Sequence, residues 1–156
     1  MSNRDLIVVG VDGSDGSRRA LRWAVVEARR TGSAVEAVTA WFWDGLEGAM
    51  LAATDPRQQR DRAERISARE VDAVVAELGS GTPISREVVE GHAIPVLVEA
   101  ARTARLLVLG SHGNGRVHHA VLGSISEECV RQATCPVVII PVPHRARRSM
   151  EPVLVG

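Results

Sequence analysis

Leu6-Ile-Val-Val-Gly-Val11, followed at once by Asp12-Gly-Ser-Asp-Gly16, is the stretch from which the rest of the chain can be read. A continuous, mostly β-branched apolar run has no polar face to offer water, so it describes a strand buried on both sides, as parallel sheets require. The Asp, Gly and Ser cluster that follows ends the strand in a turn. Ala20, Leu21, Ala24, Val25 and Ala28 then recur at helical spacing with arginines on the opposite face, and Gly32 stands where a helix ends. The segment reads as strand, loop, helix.

The unit repeats in kind. Residues 34–41 make a second strand, and after a loop through Gly45 and Gly48 the pair Asp55-Pro56 supplies an N-cap and a first-turn proline for a long helix. Val71, Val74, Val75 and Leu78 form its apolar seam, and Gly79 to Gly81 closes it. Residues 84–89 read as a third strand, 95–104 as a short helix, 106–109 as a fourth strand and 136–141 as a fifth, with Ser124 or Ser126 capping a helix that runs to about Gln132. Alternating βα units of this length predict a single α/β domain, a five-stranded parallel sheet flanked by helices on both faces. The domain is expected over residues 1–142, with 143–156, which contains Arg145-Ala-Arg-Arg148, as an arginine-rich tail. The proline-flanked fifth strand is the expected sheet edge and hence the expected homodimer contact.

Composition narrows the function classes. The 156 residues suit one domain, and no apolar run approaches the roughly 20 residues of a membrane-spanning helix. The short apolar run near the start is too brief for a secretory signal, so a cytoplasmic location is expected. Two cysteines, Cys129 and Cys135, give no disulfide framework and fit a reduced compartment. A formal net charge of zero removes the global basic field on which non-specific nucleic-acid binding relies. All 19 basic residues are arginine. Without lysine there is no Walker A loop, no pyridoxal phosphate Schiff base and no protein-kinase β3 lysine.

In an open α/β sheet, ligands sit outside the carboxyl ends of the strands where strand order reverses, so the loops after each strand carry the function. After the fourth strand comes Gly110-Ser-His-Gly-Asn-Gly-Arg116, and then Gly123-Ser124 at a helix start. Glycines let the backbone approach a bulky anion and adopt positive φ, turning successive N–H groups to one point. Gly123 and Ser124 add helix N-terminal amides, a hydroxyl and the positive end of a helix dipole beside the same anion. Arg116 offers a formal positive charge. The segment 110–124 thus reads as a phosphate-binding loop for ATP or a similar nucleotide. After the first strand, Asp12 is placed to accept hydrogen bonds from ribose hydroxyls or to help hold a Mg²⁺ ion that accompanies ATP. Its competing reading is an Asx turn that caps the first helix.

Gly110, two residues, Gly113, nine residues and Gly123-Ser124 together resemble the G-2x-G-9x-G-(S/T) signature of ATP-binding universal stress proteins. Val11-Asp12-Gly13-Ser14 is similar to the first loop of that family, and Cys135-Pro-Val-Val-Ile-Ile140 to its last strand. The resemblance covers residues 5 to about 142. It implies a Rossmann-like, adenine-nucleotide-α-hydrolase-like sheet with the first and fourth strands adjacent. By position it implies that Gly10, Val11 and Asp12 line adenine and ribose, and that the backbone near Ala40 contacts adenine. It further implies that Gly110, Ser111, His112, Gly113, Asn114, Gly115 and Arg116 wrap the ribose and phosphates, while Gly123, Ser124 and Ile125 hold the phosphate tail. Two departures from the family pattern are Gly10, where many members have proline, and His118-His119 within the nine-residue spacer.

Plainer readings cover several other residues. His112, His118 and His119 lack the cysteine or paired-carboxylate partners of a metal site and read as solvated loop histidines, and His92 as a turn residue. Cys129 reads as core. Trp41-Phe-Trp43 either packs under the long loop that follows it, or forms an adenine-side lid or partner surface. No base-activated nucleophile is recognisable, so slow ATP hydrolysis or autophosphorylation is the most catalysis expected. The resulting expectation is an ATP-binding regulator in stress response or dormancy, forming a homodimer, with an unidentified regulatory protein partner and neither membrane nor nucleic acid. The alternative is a nucleotide-independent dimeric interaction module of the same fold.

Overall fold

Strands that lack a polar face must be covered on both sides, and the architecture follows from that demand. The computed structural model describes residues 5–44, 55–113 and 122–143. In chain order it contains β1 (Leu6–Gly10), α1 (Asp15–Thr31), β2 (Ala34–Trp41), α2 (Pro56–Leu78), β3 (Ile84–Glu90), α3 (Ala93–Ala100), β4 (Leu106–Gly110), α4 (Ser124–Gln132) and β5 (Val137–Ile140). The five strands form one sheet in the order β3-β2-β1-β4-β5. Every pairing is parallel, with Ile7 opposite Leu106 and Val9 opposite Val108 where β1 meets β4.

Alternation along the strands splits the core in two. Ile7 and Val9 of β1 pack with Val35, Ala37 and Val108 beneath α1 and α2. Val8 packs on the other face with Val38, Leu107 and Leu109, against Leu97 of α3 and Cys129 of α4. Burial pushes the Cys129 thiol up to about 11 and also raises the half-buried Cys135, so both free cysteines remain protonated near neutral pH. The reading of Cys129 as core holds.

The helices stop and start for local reasons. Ser14 caps α1, its Oγ accepting from the Ser17 N–H, and Gly32 ends it in the left-handed conformation at φ 72°. Asp55 caps α2 and Pro56 takes its first turn, as the sequence predicts. The two helices are joined by a buried carboxylate. Glu70 of α2 has no exposed surface and accepts from Arg18 Nε at 2.7 Å, Arg18 Nη2 at 2.9 Å and Arg69 Nε at 3.1 Å.

Two helices differ from expectation at their ends. Helix α3 begins at Ala93 rather than at residue 95, because Pro95 falls in the first turn, where its missing N–H has no intrahelical acceptor to lose. It ends at Ala100, and the chain turns back through Ala104, whose N–H donates to the Ala101 carbonyl. Neither serine caps α4: Gly123 is its N-cap, Ser124 is its first residue, and the Ser126 hydroxyl donates instead to the Gly110 carbonyl at 2.8 Å. The tail beyond residue 143 lies outside the described residues, and no described helix is long and apolar enough to cross a membrane.

Candidate functional site

The strand order reverses between β1 and β4, so the chain leaves their carboxyl ends in opposite directions and a crevice opens between the two loops. It is a cleft of about 440 Å³. Gly10, Val11 and Asp12 line the β1 side, and Gly110, His112 and Gly113 the β4 side. The start of α4 closes one end with Gly123, Ser124 and Ile125, and Ala40 with Leu97 and Leu109 forms the apolar floor.

The β1 loop is held by its own side chains. Asp12 Oδ1 accepts from the Ser14 N–H at 2.9 Å and from the Ser14 hydroxyl, while Ser14 Oγ accepts from the Ser17 N–H at 3.2 Å. Asp12 therefore forms the Asx turn, but the residue that caps α1 is Ser14, and Asp12 also lines the cleft. Gly13 sits at φ 83°, where a side chain would be strained, beneath Ile66 and Arg69 of α2. Replacing Ser14 with Ala removes the α1 cap and the hydroxyl that donates to Asp12, while the backbone N–H of residue 14 still donates there. A loss of about 1 kcal/mol is expected, seen as a fall in Tm of about 2–4 °C.

On the β4 side the glycines serve close approach rather than unusual dihedrals. Among the described residues positive φ occurs at Gly13, Gly32, Gly79 and Gly91, and not at Gly110, Gly113 or Gly123. A Cβ on Gly110 would stand 2.7 Å from the Gly16 carbonyl carbon, and one on Gly16 would stand 2.6 Å from the His112 oxygen. These two glycines let the first turn of α1 press against the end of β4. A Cβ on Gly113 would stand 2.8 Å from Asp12 Oδ2, so this glycine brings the two loops together across the cleft. A Cβ on Gly10 would meet the movable side-chain ends of Leu109 at 2.8 Å and Leu97 at 3.2 Å.

The start of α4 is the most distinctive feature. Ser14 and Asp55 cap α1 and α2 with side-chain oxygens, but Gly123 has none, and the Gly123 N–H donates to the Ser111 carbonyl at 2.8 Å. The Ser124, Ile125 and Ser126 amides precede the first intrahelical bond, from the Glu127 N–H to the Gly123 carbonyl. Peptide dipoles and orphan donors thus converge on one end of the cleft. No lysine or arginine is among its described lining residues. His112 shares a 3.0 Å hydrogen bond between Nδ1 and Ser111 Oγ, and its Nε2 is buried without a partner among the described residues. No group of three potential metal ligands occurs among the described residues.

Ten of the residues singled out in the sequence lie together on the cleft: Gly10, Val11, Asp12, Ala40, Gly110, His112, Gly113, Gly123, Ser124 and Ile125. Ser111 is not on its lining: it is buried, its N–H donating to the Ile140 carbonyl at 2.9 Å. Asn114, Gly115, Arg116 and the pair His118-His119 lie outside the described residues. Ser17, Ala93, Leu97 and Ser126 line the cleft without having been singled out for it. Ser126 was visible only as a possible cap. Leu97 arrives by packing of α3 on the sheet, for which the local sequence has no signal.

Comparison with known proteins agrees with this geometry. The model of the universal stress protein family matches residues 3–141. Universal stress protein Rv1996 of Mycobacterium tuberculosis is 32% identical over 96% of this chain, and Rv2623 of the same organism is 34% identical over 96%. The chain spans about half the length of these curated relatives, 52% in each case. Among solved structures, a universal stress protein in complex with cAMP has a TM-score of 0.67 at 27% identity, covering 90% of this chain and 98% of that one. A family member from Burkholderia pseudomallei has a TM-score of 0.67 at 26% identity, covering 91% and 99%. An Archaeoglobus fulgidus universal stress protein in complex with dAMP shares the fold, with a TM-score of 0.65 at 22% identity over 90% and 99%. With the family model matching residues 3–141 and relatives 32–34% identical over 96% of its length, the chain belongs to the universal stress protein family.

Proposed function

We propose that the cleft between β1 and β4 binds an adenine nucleotide, ATP in the first instance, and that occupancy makes this chain a nucleotide-dependent regulator in stress response or dormancy. The observation that carries the reading is the uncapped start of α4, whose first residues line a cleft that is also lined by the apolar Ala40, Leu97 and Leu109. A long ligand with an anionic end and an apolar end fits that polarity. The amides of Ser124 and Ile125 and the Ser124 hydroxyl hold phosphate oxygens, Gly113 lets the β4 loop close on them, and Asp12 accepts from ribose hydroxyls. The base rests on Ala40, Leu97 and Leu109. Asn114, Gly115 and Arg116 complete the phosphate loop by sequence position. A Mg²⁺ ion near Asp12 would take its other ligands from phosphates and water, as that ion commonly does. A related universal stress protein in complex with cAMP supports an adenine ligand.

The chemistry of the donors favours holding a nucleotide over transferring its phosphate. Backbone amides bind ground-state oxygens well, but the chain has no lysine to offset charge on a moving phosphoryl group. We further propose a cytoplasmic homodimer. The β5 edge, paired on one side with β4 and bordered by the exposed Val142 and Val130, is its contact. Sedimentation at micromolar concentration is expected to give a dimer. Protein purified without added nucleotide and then denatured is expected to release adenine nucleotide in near-stoichiometric amount, and Asp12→Ala protein to release far less. Equal release from both would remove Asp12 from the site.

A further inference from the structure

Beyond the floor of the cleft, the Trp41-Phe-Trp43 stretch has no role yet. Val38 and Ala40 of β2 line the cleft, and Phe42 follows directly on the strand's last residue, Trp41. Phe42 is 49% exposed, and it stacks on His92 with ring centroids 4.1 Å apart and planes 30° apart. The pair is built rather than incidental. The Gly91 N–H donates to the Trp41 carbonyl at 2.8 Å, tying the turn after β3 to the end of β2. Gly91 takes φ 148°, and a Cβ on it would stand 2.9 Å from Val96, so only glycine delivers His92 to this position without strain. His92 is the N-cap of α3 yet makes no capping hydrogen bond, and its ring nitrogens have no hydrogen-bond partner among the described residues. Its neighbour Ala93 lines the cleft.

A half-exposed aromatic ring braced by a second ring, beside a heteroaromatic edge with an uncommitted donor and acceptor, matches the chemistry of a nucleobase. We propose that Phe42 and His92 form the outer wall of the base end of the cleft and select a purine over a pyrimidine. This rests on the nucleotide reading above. Phe42 contacts the face or edge of the base, and the His92 nitrogens meet the polar edge of its outer ring. A pyrimidine seated on the Ala40 floor lacks the second ring that spans to the wall, so it forgoes both contacts. The wall sets specificity without touching the phosphate machinery.

Calorimetric titration of ATP and CTP into wild-type, Phe42→Ala, Phe42→Trp and His92→Ala protein tests this assignment. Wild type is expected to favour ATP clearly. Phe42→Ala is expected to weaken ATP about tenfold, the size of one lost base–aromatic stack, while leaving CTP nearly unchanged, so the preference collapses. Phe42→Trp retains the preference, and His92→Ala loses part of it. Since Phe42 is at the surface, unchanged Tm values confirm that folding is intact. If Phe42→Ala weakens ATP and CTP equally, or neither, the wall is not a selector although the nucleotide reading stands. If wild type binds neither ligand, the nucleotide reading fails and the wall falls with it.

Discussion

Gly110→Ala is expected to lower Tm by about 6–12 °C and to abolish nucleotide binding together with it. A new Cβ would stand 2.7 Å from the Gly16 carbonyl carbon, 2.9 Å from its oxygen and 3.0 Å from its Cα. All three are backbone atoms in the first turn of α1, so no side-chain rotation relieves the collision. Overpacking of this kind costs about 1–3 kcal/mol, and a backbone collision belongs at the upper end. For a chain of this length each kcal/mol moves Tm by about 2–4 °C. Binding fails for a linked reason: displacing the first turn of α1 displaces Ser14 and Ser17, and these hold the Asp12 turn. Gly81→Ala is the control. A Cβ there meets nothing within 4 Å and φ is not positive, so thermal unfolding should shift little or upward.

Arg18→Ala should be the second large effect, and it should depend on pH. Glu70 has no exposed surface, and without Arg18 it keeps Arg69 alone of its two arginines, through Nε at 3.1 Å and Nη2 at 3.0 Å. Removing one partner of a buried pair costs about 3–5 kcal/mol. Arg18 itself is 43% exposed and already screened by water, so about 2–3 kcal/mol is the expected loss. The hydrogen bond from Arg18, above all, holds the Glu70 carboxyl below its ordinary range, against the opposing effect of burial. A depressed folded-state pKa contributes stability that is fully present above the unfolded value of about 4.3 and is lost as pH falls through the lower folded value. In Arg18→Ala, burial acts with less opposition and that acid-side loss diminishes. Urea midpoints of wild type and variant should therefore differ most near pH 7 and converge below about pH 4. A gap that stays constant across this range would mean that Glu70 is not the group responsible.

Much of the fold was legible because its central strands carry no polar residue. β1 and β4 each have three consecutive fully or almost fully buried residues, and such runs admit few readings other than interior parallel strands. The caps at Ser14 and Asp55 and the terminator Gly32 were readable because their chemistry is local. The start of α3 was not, since the sequence does not distinguish a proline at the third position of a first turn from one at the first position. The roles of Ser124 and Ser126 were not readable either. Both are plausible caps by type, and only the approach of β4 assigns the Ser126 hydroxyl to the Gly110 carbonyl.

The candidate site shows the same division. Spacing placed Gly110, Gly113 and Gly123 around one cleft, but the reason for glycine at those positions is tertiary. Gly110 avoids Gly16 and Gly113 avoids Asp12, contacts between segments roughly 100 residues apart that no local pattern encodes. Leu97 in the cleft and the Phe42–His92 stack likewise depend on how α3 and the β3 turn pack against β2.

Titration of Mg-ATP into wild-type and Gly113→Ala protein decides whether the cleft between β1 and β4 holds a nucleotide. The new methyl would crowd Asp12 Oδ2, a side-chain atom at the cleft rather than core backbone, so the variant should fold normally. Saturable one-to-one binding by wild type is expected, with at least a tenfold weakening in Gly113→Ala at unchanged Tm, a difference of about 1.4 kcal/mol or more. Failure of wild type to bind any adenine nucleotide, or equal affinity in the two proteins, would contradict a nucleotide site in this cleft.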